Sequence, residues 1–195
     1  MDNPVVIAAS SVTEADRLTA RLGSRFGRLD LASQLALLVV ESLGVDFSGW
    51  PRERIAICLA AQAGSLSTDV EYWNGHDATG GPSPTLFAYT LPSAAIGEIA
   101  IRHHLTGSNL CFVGDSRGVV AEAVDFLRRG EADACICVSI QAVTPATAAM
   151  IGITASARAG ALFLAKKGPG LGVLGEFDRD IESLLAIYSH RKSAS

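Results

Sequence analysis

The segment NLCFVGDSRGVVAEAVDFLRRGEADACICVSI, residues 109–140, joins two apolar runs through a tight turn and an amphipathic stretch. The runs at 109–113 and 134–140 are rich in apolar and β-branched residues, which is typical of buried strands. Apolar residues over 117–129 recur at helical spacing, and Gly130 is typical of the position that ends a helix. A strand, a helix and a second strand in this order predict an α/β fold built on a sheet.

The same alternation continues on both sides of this segment. Three more strands are predicted at 5–9, 54–60 and 159–165, and three more helices at 30–43, 92–105 and 181–188. Asp30 is placed to cap the first of these helices. The stretch 69–84 is polar and rich in Gly and Pro, which predicts an ordered surface loop. We therefore expect about five strands covered by helices, in one unit over 1–168 followed by a C-terminal helix and polar tail over 169–195.

The composition excludes several classes of protein. Apolar residues make up 49% of the 195 and charged residues only 18%, which excludes disorder and indicates an extensively buried chain. The net charge of -4 offers no cationic surface for nucleic acid. No unbroken apolar stretch reaches the roughly 20 residues of a membrane span, and the first residues do not resemble a signal peptide. We expect a cytoplasmic protein that binds neither nucleic acid nor a bilayer.

The four cysteines lie within apolar runs and show no metal-binding spacing. They are Cys58, Cys111, Cys135 and Cys137. A free cysteine packs as a small apolar side chain, so these positions predict buried thiols. Neither a structural metal nor a disulfide is expected from this pattern, and nothing in the sequence indicates a cofactor.

Short motifs occur in a fixed order over residues 5–166. They are FGRLD at 26–30, AGS at 63–65, SPTLF at 83–87, LTG at 105–107 and GEADA at 130–134. In this order and spacing they resemble the N-terminal half of β-ketoacyl synthases, the condensing enzymes of the thiolase fold. The resemblance implies half of a thiolase-like fold, with a mixed sheet covered by helices.

Two departures from the resembled family bear on chemistry. The resemblance implies that Ser116 stands where a condensing synthase carries its nucleophilic cysteine, while Cys111 falls five residues earlier, inside a predicted strand. The resemblance implies that the family's two catalytic histidines belong to a second half of the fold, which we expect to be missing from this chain. Condensation needs a thiolate to hold the acyl chain and imidazoles to support decarboxylation. We therefore expect no condensing activity, and whether the chain is an enzyme of another kind stays open.

The turn around Ser116 permits a second interpretation. Residues 114–118, GDSRG, fit the G-x-S-x-G pattern of a nucleophile elbow between a strand and a helix. A serine needs an activating base, and the candidates are His76, His103, His104 and His190. A hydrolase-like order of Ser116, then Asp178 or Asp180, then His190 can be drawn. The alternative, which the residue types favour, is that Asp115 and Ser116 cap the following helix.

An apolar stripe on the helix after Ser116 predicts an interface. It consists of Val119, Val120, Ala123, Val124 and Leu127. In the resembled family the two halves pack through a shared helix layer, so the resemblance implies that a single half leaves this stripe uncovered. Burying ~800 Å² on each partner supplies many kcal/mol before association costs. We expect a dimer, either with a second copy or with a catalytic ketosynthase.

Other residues are candidates for binding. Tyr72 and Trp73 are able to anchor a partner or to pack within their own loop. Glu98 lies on an otherwise apolar helix, which favours a partly exposed or capped carboxylate. The resemblance implies an acyl pocket around Ser116, Phe87 and the helix over 92–105, with an acyl carrier protein as a visitor.

These features predict a non-condensing β-ketoacyl synthase-like subunit of bacterial fatty-acid or polyketide biosynthesis. It would act as the partner of a true synthase, as chain length factors do in the resembled family. One alternative is an acyl-thioester hydrolase or acyltransferase that uses Ser116. Another is a structural homodimer that binds no acyl group.

Overall fold

A mixed six-stranded sheet forms the centre of the protein. The computed structural model describes residues 3–75, 81, 83–175 and 179–189. Its strands are β1 (Val5–Thr13), β2 (Ile55–Ala61), β3 (Asn109–Val113), β4 (Ala134–Val143), β5 (Ser156–Ala165) and β6 (Gly172–Val173). They lie in the order β3-β2-β4-β5-β1-β6. The expected α/β fold with a mixed sheet is confirmed.

Strand direction divides the sheet into two parts. β2 pairs in parallel with β3 on one side and with β4 on the other. β5 runs antiparallel to both β4 and β1, and β6 adds a short antiparallel pair to β1. All five predicted strands are confirmed, although β1, β4 and β5 are longer than expected. β3 and β6 are the two edges.

The helices in the described part of the chain number eight. They are α1 (Glu14–Thr19), α2 (Leu31–Glu41), α3 (Leu66–Asn74), α4 (Pro84–Phe87), α5 (Ala94–His103), α6 (Arg117–Arg129), α7 (Pro145–Ile151) and α8 (Ile181–Ser189). The prediction for α6 matches at both ends, and those for α2, α5 and α8 hold within two residues at each end. Asp30 caps α2 as expected, because its carboxylate accepts a 3.0 Å hydrogen bond from the Ser33 amide.

The surface loop predicted over 69–84 is wrong over residues 69–74, which belong to α3. α3 occupies the beginning of that stretch and α4 its end, while residues 76–80 and 82 lie outside the described residues. Although α3 is polar, two residues of its first turn form structural hydrogen bonds. The Ser67 hydroxyl accepts from the Thr144 amide at 3.1 Å, and the Thr68 hydroxyl donates to Asp30 at 2.9 Å. Both side chains are buried.

Two helical layers cover the two faces of the sheet. β2 shows the alternation that this requires, since Ile55, Ile57 and Leu59 face the layer that contains α2 and α5. The intervening Ala56, Cys58 and Ala60 face the layer that contains α6 and α8. Because successive strand residues point to opposite faces, one strand contributes to both cores.

The apolar stripe on α6 faces its own sheet. Val119 and Val120 are fully buried, and Ala123, Val124 and Leu127 lie in the same core as the alternate residues of β2. The stripe was expected to be buried by a partner chain, but it is buried by the sheet of this chain itself. The α6 stripe therefore does not form the predicted interface. The opposite side of α6 carries exposed charged residues, including Asp125 and Arg128.

Ion pairs close the end of the sheet at which β2 and β4 begin. Asp133 directly precedes β4 and accepts bonds at 3.0 Å from the Arg54 guanidinium and at 2.8 Å from the Lys166 ammonium. Arg54 precedes β2 and Lys166 follows β5. The Asp133 carboxylate therefore connects the ends of three strands, β2, β4 and β5. Among the described helices, none has the length and apolar character needed to cross a membrane.

Candidate functional site

The candidate site is the turn that connects β3 to α6. Gly114 adopts a φ of +126°, which an L-amino acid with a side chain rarely tolerates, and its amide donates to the Ala61 carbonyl at 3.1 Å. Asp115 follows and accepts a 3.0 Å hydrogen bond from the Arg117 amide. Its carboxylate also pairs with the Arg117 guanidinium at 2.8 Å, and this contact lowers the pKa of Asp115. Asp115 therefore satisfies the first free amide of α6, while Ser116 at the N-cap position makes no side-chain bond to the helix.

Ser116 has a different set of partners. Its hydroxyl accepts from the Ile181 amide at 3.0 Å and donates to Glu182 Oε2, also at 3.0 Å. The other oxygen of Glu182 accepts a 2.7 Å hydrogen bond from the Ser139 hydroxyl on β4. Ser116 and Ser139 are each only 1% exposed. The serine at the elbow is thus a buried hydrogen-bonding centre beneath the first turn of α8.

α8 is fixed over the elbow along its length. At its start the Asp180 carboxylate accepts a 2.7 Å bond from the Ser183 amide, which lowers the pKa of Asp180. Apolar residues along one side of the helix are buried against the sheet, namely Ile181, Leu184 and Tyr188. The Tyr188 hydroxyl donates to the Val173 carbonyl at 3.0 Å. An acyl group would reach the Ser116 hydroxyl only if α8 moved.

The described histidines lie away from this elbow. The ring of His103 packs edge-on against Phe47 at a centroid distance of 5.0 Å, in the core on the opposite face of the sheet, and burial lowers its pKa. His104 is exposed and ends α5 with a left-handed φ of 55°. His76, His190 and Asp178 lie outside the described residues. The structure therefore brings Ser116 together with Glu182 and Ser139, an arrangement that the sequence did not predict.

Three of the four cysteines are fully buried between the sheet and the layer of α6 and α8. The Sγ atoms of Cys58 and Cys135 are 3.7 Å apart, and Cys137 lies two residues further along β4. Burial raises the pKa of Cys135 well above its usual value. Cys111 on β3 is half-buried instead. Within the described ranges, no three His, Cys, Asp or Glu side chains are grouped to hold a metal ion.

Exposed apolar side chains occur at the end of β3 and in the segment from Phe87 to Leu91. We define the edge patch as Phe87, Leu91 and Val113, each more than 60% exposed. The ring centroids of Phe87 and Tyr72 are 5.7 Å apart, so Tyr72 packs against α4. Trp73 is exposed. Val113 and the Pro92 ring both lie beside Gly64, which places Leu91 next to the end of β3. Phe87 thus belongs to an exposed surface, whereas Ser116 is enclosed.

Glu98 is a buried carboxylate held by two hydrogen bonds. Its carboxylate accepts from the Arg25 guanidinium at 2.9 Å and from the Tyr89 hydroxyl at 3.1 Å. The residue is 9% exposed, so a charge in this position requires such partners. Glu98 connects α5 to the segment before α2.

No family model and no curated protein matches this sequence. Solved structures do match. A chain of the ishigamide ketosynthase/chain length factor gives a TM-score of 0.70 at 18% identity, covering 87% of this chain and 64% of that one. A ketosynthase (ApeO) in complex with its chain length factor (ApeC) from Xenorhabdus doucetiae gives 0.62 at 16% identity, covering 85% and 80%. The complex AntDE:AntF, a type II polyketide synthase acyl-carrier protein with its ketosynthase, gives 0.67 at 13% identity, covering 86% and 64%.

These comparisons define the class of fold. Ketosynthases and chain length factors share the fold of this chain across most of its residues, as the resemblance implied. The chain spans about two thirds of the matched chain in the ishigamide system and four fifths of the one in the Xenorhabdus complex. The latter chain is therefore not much longer than this one. The chain therefore has a ketosynthase-like fold.

Proposed function

We propose that this chain is a non-condensing ketosynthase-like subunit that pairs with a catalytic ketosynthase in fatty-acid or polyketide biosynthesis. Its role would be that of a chain length factor. The observation that carries the proposal is the state of Ser116, which stands at the elbow of a ketosynthase-like fold but is buried and bonded to Ile181 and Glu182. Without an exposed nucleophile, the subunit depends on another chain for chemistry.

The hydrogen bonds of Ser116 weigh against the hydrolase alternative. A nucleophilic serine must lose its proton to a base and approach a carbonyl carbon. Here the proton of Ser116 points to Glu182, and an oxygen lone pair is occupied by the Ile181 amide. Enclosure under α8 also leaves no room for a thioester. These contacts explain a serine at this position as a means of holding α8.

The solved complexes support pairing with a ketosynthase. The titles of two of them name a ketosynthase together with a chain length factor. The matched chain of the Xenorhabdus complex is close to this chain in length, so a short chain of this fold occurs in such a complex. A third neighbour contains an acyl-carrier protein bound to its ketosynthase, and we propose the same class of visitor for the complex formed by this chain.

The β3 edge provides the docking surface for the ketosynthase. β3 pairs only with β2 among the described strands, so its outer row of backbone groups is open to a strand from outside. Exposed edge strands usually carry charges or proline that prevent such pairing. β3 reads Asn-Leu-Cys-Phe-Val, with neither, and it adjoins the edge patch. A second strand added here would extend the sheet and cover apolar side chains.

Matched edge variants test this proposal. Val113 on β3 and Val173 on β6 are exposed valines, 69% and 59%, at opposite edges of the sheet. Val113→Lys should weaken binding to the ketosynthase of the same cell at least tenfold, because an ammonium would face the apolar interface. Val173→Lys should leave the affinity unchanged. Equal affinities for the two variants would overturn the docking surface, and self-association without ketosynthase binding would favour the structural homodimer.

A chemical test addresses the hydrolase alternative separately. Wild-type protein is incubated with a short acyl thioester, and its intact mass is recorded over time. We expect no added acyl group and no thioester loss above the uncatalysed rate. An adduct that maps to Ser116 would contradict the proposed function and support the acyl-transfer alternative.

A further inference from the structure

We propose that a cleft between β1 and the end of α2 binds a small amphipathic amine, a molecule with one ammonium group on an apolar body. β1 lies next to the edge of the sheet opposite β3, so the cleft is separate from the edge patch. The inference therefore goes beyond pairing with a ketosynthase. It rests on the shape of the cleft, on its aromatic wall and on the negative charge at one end.

The first observation is an apolar cleft of about 350 Å³. Its apolar side chains come from β1, from the segment after α2 and from the segment before β6. They are Ile7, Ala8, Ala9, Leu43, Val45 and Leu171. The volume is near the lower end of the range for small-molecule sites, about 300–1,000 Å³, which indicates a small ligand.

Two features of the backbone form the walls of the cleft. β1 contains a bulge between Val6 and Ala8, and the consecutive residues Ile7 and Ala8 both contact the core on the α2 side. The Leu171 amide donates to the Val6 carbonyl at 2.7 Å, and this hydrogen bond fixes the segment before β6 alongside β1. The fold itself therefore holds the cleft in shape.

Trp50 supplies an aromatic wall. The residue is half-buried and lines the cleft. Its ring packs edge-on against Phe163 at a centroid distance of 5.0 Å, and this contact restricts the orientation of the indole. The face of an indole attracts a cation that lies within about 6 Å of the ring centre. A tryptophan in the lining therefore favours a positively charged ligand over a neutral one of the same shape.

A carboxylate lies at one end of the cleft. Of the described residues that line it, Asp46 alone is charged. Its carboxylate accepts from the Ser48 hydroxyl at 2.7 Å and from the Ser48 amide at 2.9 Å, and these bonds lower the pKa of Asp46. Asp46 is exposed, so its oxygens keep lone pairs for a further donor. Arg52 also acts on Asp46 electrostatically, but it does not line the cleft.

The C-terminal end of α2 adds to this negative charge. Leu43 and Gly44 follow the last turn of the helix and line the cleft. The C-terminal end of a helix carries a partial negative charge that favours a cation. The last turn of α2 is described throughout and contains no basic residue. Arg102 of α5 approaches this turn, but it is bound to Glu41 at 2.7 Å.

These features together define the class of ligand. The apolar walls accept an alkyl or aryl body, while an ammonium group is able to donate to Asp46 and to contact Trp50. A carboxylic acid of the same shape would place its charge beside Asp46 and the end of α2, which is repulsive. One carboxylate provides too few ligands for a divalent cation. A small amine with a single charge satisfies all three features.

The fluorescence of Trp50 provides a direct measure of binding. The chain contains two tryptophans, Trp50 and Trp73. Trp73 is 76% exposed, so Trp73→Phe removes the second fluorophore without changing the core. The probe is 2-phenylethylamine, which is protonated at neutral pH, and the matched ligands are neutral 2-phenylethanol and anionic phenylacetate. In the Trp73→Phe chain we expect a saturable change in fluorescence with the amine, at least tenfold higher affinity than for the alcohol, and no saturable change with phenylacetate.

Three variants locate the site. Asp46→Asn removes the charge but keeps an oxygen that accepts from the Ser48 amide, and it should weaken amine binding about tenfold while alcohol binding stays the same. Ala8→Leu fills part of the cleft and should weaken binding of both ligands at least fivefold. Asp125→Asn removes the same charge on the exposed side of α6 and should have no effect. Circular dichroism shows which variants are folded, and Asp46→Asn alone decides the question if Ala8→Leu does not fold.

Several results would overturn the proposal. They are the lack of a saturable response to the amine, equal affinities for the amine and phenylacetate, amine binding that Asp46→Asn leaves unchanged, and equal weakening by Asp46→Asn and Asp125→Asn. The affinity for the ketosynthase should be the same in wild type and in Asp46→Asn. The amine site and the proposed function therefore fail independently.

Discussion

The hydroxyl of Ser116 lies 3.0 Å from a carboxylate oxygen of Glu182, although 66 residues separate the two along the chain. The second oxygen of the same carboxylate accepts from Ser139. One side chain of α8 therefore connects the turn before α6 to strand β4. This contact assigns a structural role to Ser116, the residue that the resemblance implies at the nucleophile position.

Ser116→Ala should destabilise the protein. The substitution leaves the Ile181 amide without its acceptor and removes one donor to Glu182. Both groups lie next to the buried Ser116 side chain. A buried polar group without a partner costs about 1–3 kcal/mol, so the free energy of unfolding should fall by that amount. Urea denaturation measures the change. Ser24→Ala, at an exposed position, is the control and should stay within about 0.5 kcal/mol of wild type. Equal stability of both variants would contradict the structural role.

Gly160 on β5 allows α8 to approach the sheet. A Cβ atom at this position would lie 2.5 Å from the Leu185 Cδ1 atom and 3.2 Å from the Ile181 Cγ2 atom. Gly160→Ala should therefore destabilise the chain, and Leu185→Ala should destabilise it by loss of packing. In the double variant the smaller residue at 185 removes the closer clash, so its loss of stability should be less than the sum. Additive losses in thermal unfolding would show that α8 does not pack on Gly160 as described.

Asp133 should make stability depend on pH. Hydrogen bonds from Arg54 and Lys166 hold the pKa of this carboxyl well below its usual value of 3.8. The folded pKa is thus lower than the unfolded one, so the stabilisation is present above about pH 4 and is lost as the pH falls further. The ion pairs are partly exposed, which limits their contribution to about 1 kcal/mol.

Unfolding of wild type and Asp133→Asn from pH 7 to pH 2 measures this contribution. The difference in stability should be constant from pH 7 to about pH 5 and should shrink below pH 4. Asp125→Asn, on the exposed side of α6, serves as the control for a simple change of charge. A difference that grows at low pH would show that the sign of the pKa shift is wrong.

The cysteines should differ in reactivity. Cys58, Cys135 and Cys137 are fully buried, whereas Cys111 is half-buried on the edge strand. Thiols react as thiolates, and burial raises the pKa of Cys135 and of Cys111. With iodoacetamide at pH 8, Cys111 should be modified first and slowly, and the other three should react only after denaturation. Modification of Cys58 in the native protein as fast as Cys111 would contradict the described packing.

Local patterns predicted much of the fold. α6 was located at both ends because its apolar spacing is strongly amphipathic and Gly130 ends it in the left-handed conformation. β2 and β4 were predicted because each is apolar on both faces, as central strands must be. The N-cap at Asp30 was also visible in the sequence, since it depends on residues three positions apart.

The remaining features depend on contacts that are distant in the sequence. Residues 69–74 of α3 were predicted as a loop because they are polar, and the first turn of this helix is held by distant contacts of Ser67 and Thr68 with Thr144 and Asp30. β6 is two residues long and exists only through its pairing with β1. Glu182 carried no local signal, because its partners lie on β4 and at the start of α6. The orientation of the α6 stripe likewise depends on which layer covers it.

The most direct test of the central claim is the native mass of the complex that the tagged chain forms in its own cell, with the bound protein identified by peptide sequencing. We expect one copy of this chain with one copy of a ketosynthase that retains its nucleophilic cysteine, and loss of that complex in the Val113→Lys variant. A chain recovered only as a monomer or as a homodimer, with no ketosynthase bound, would contradict it.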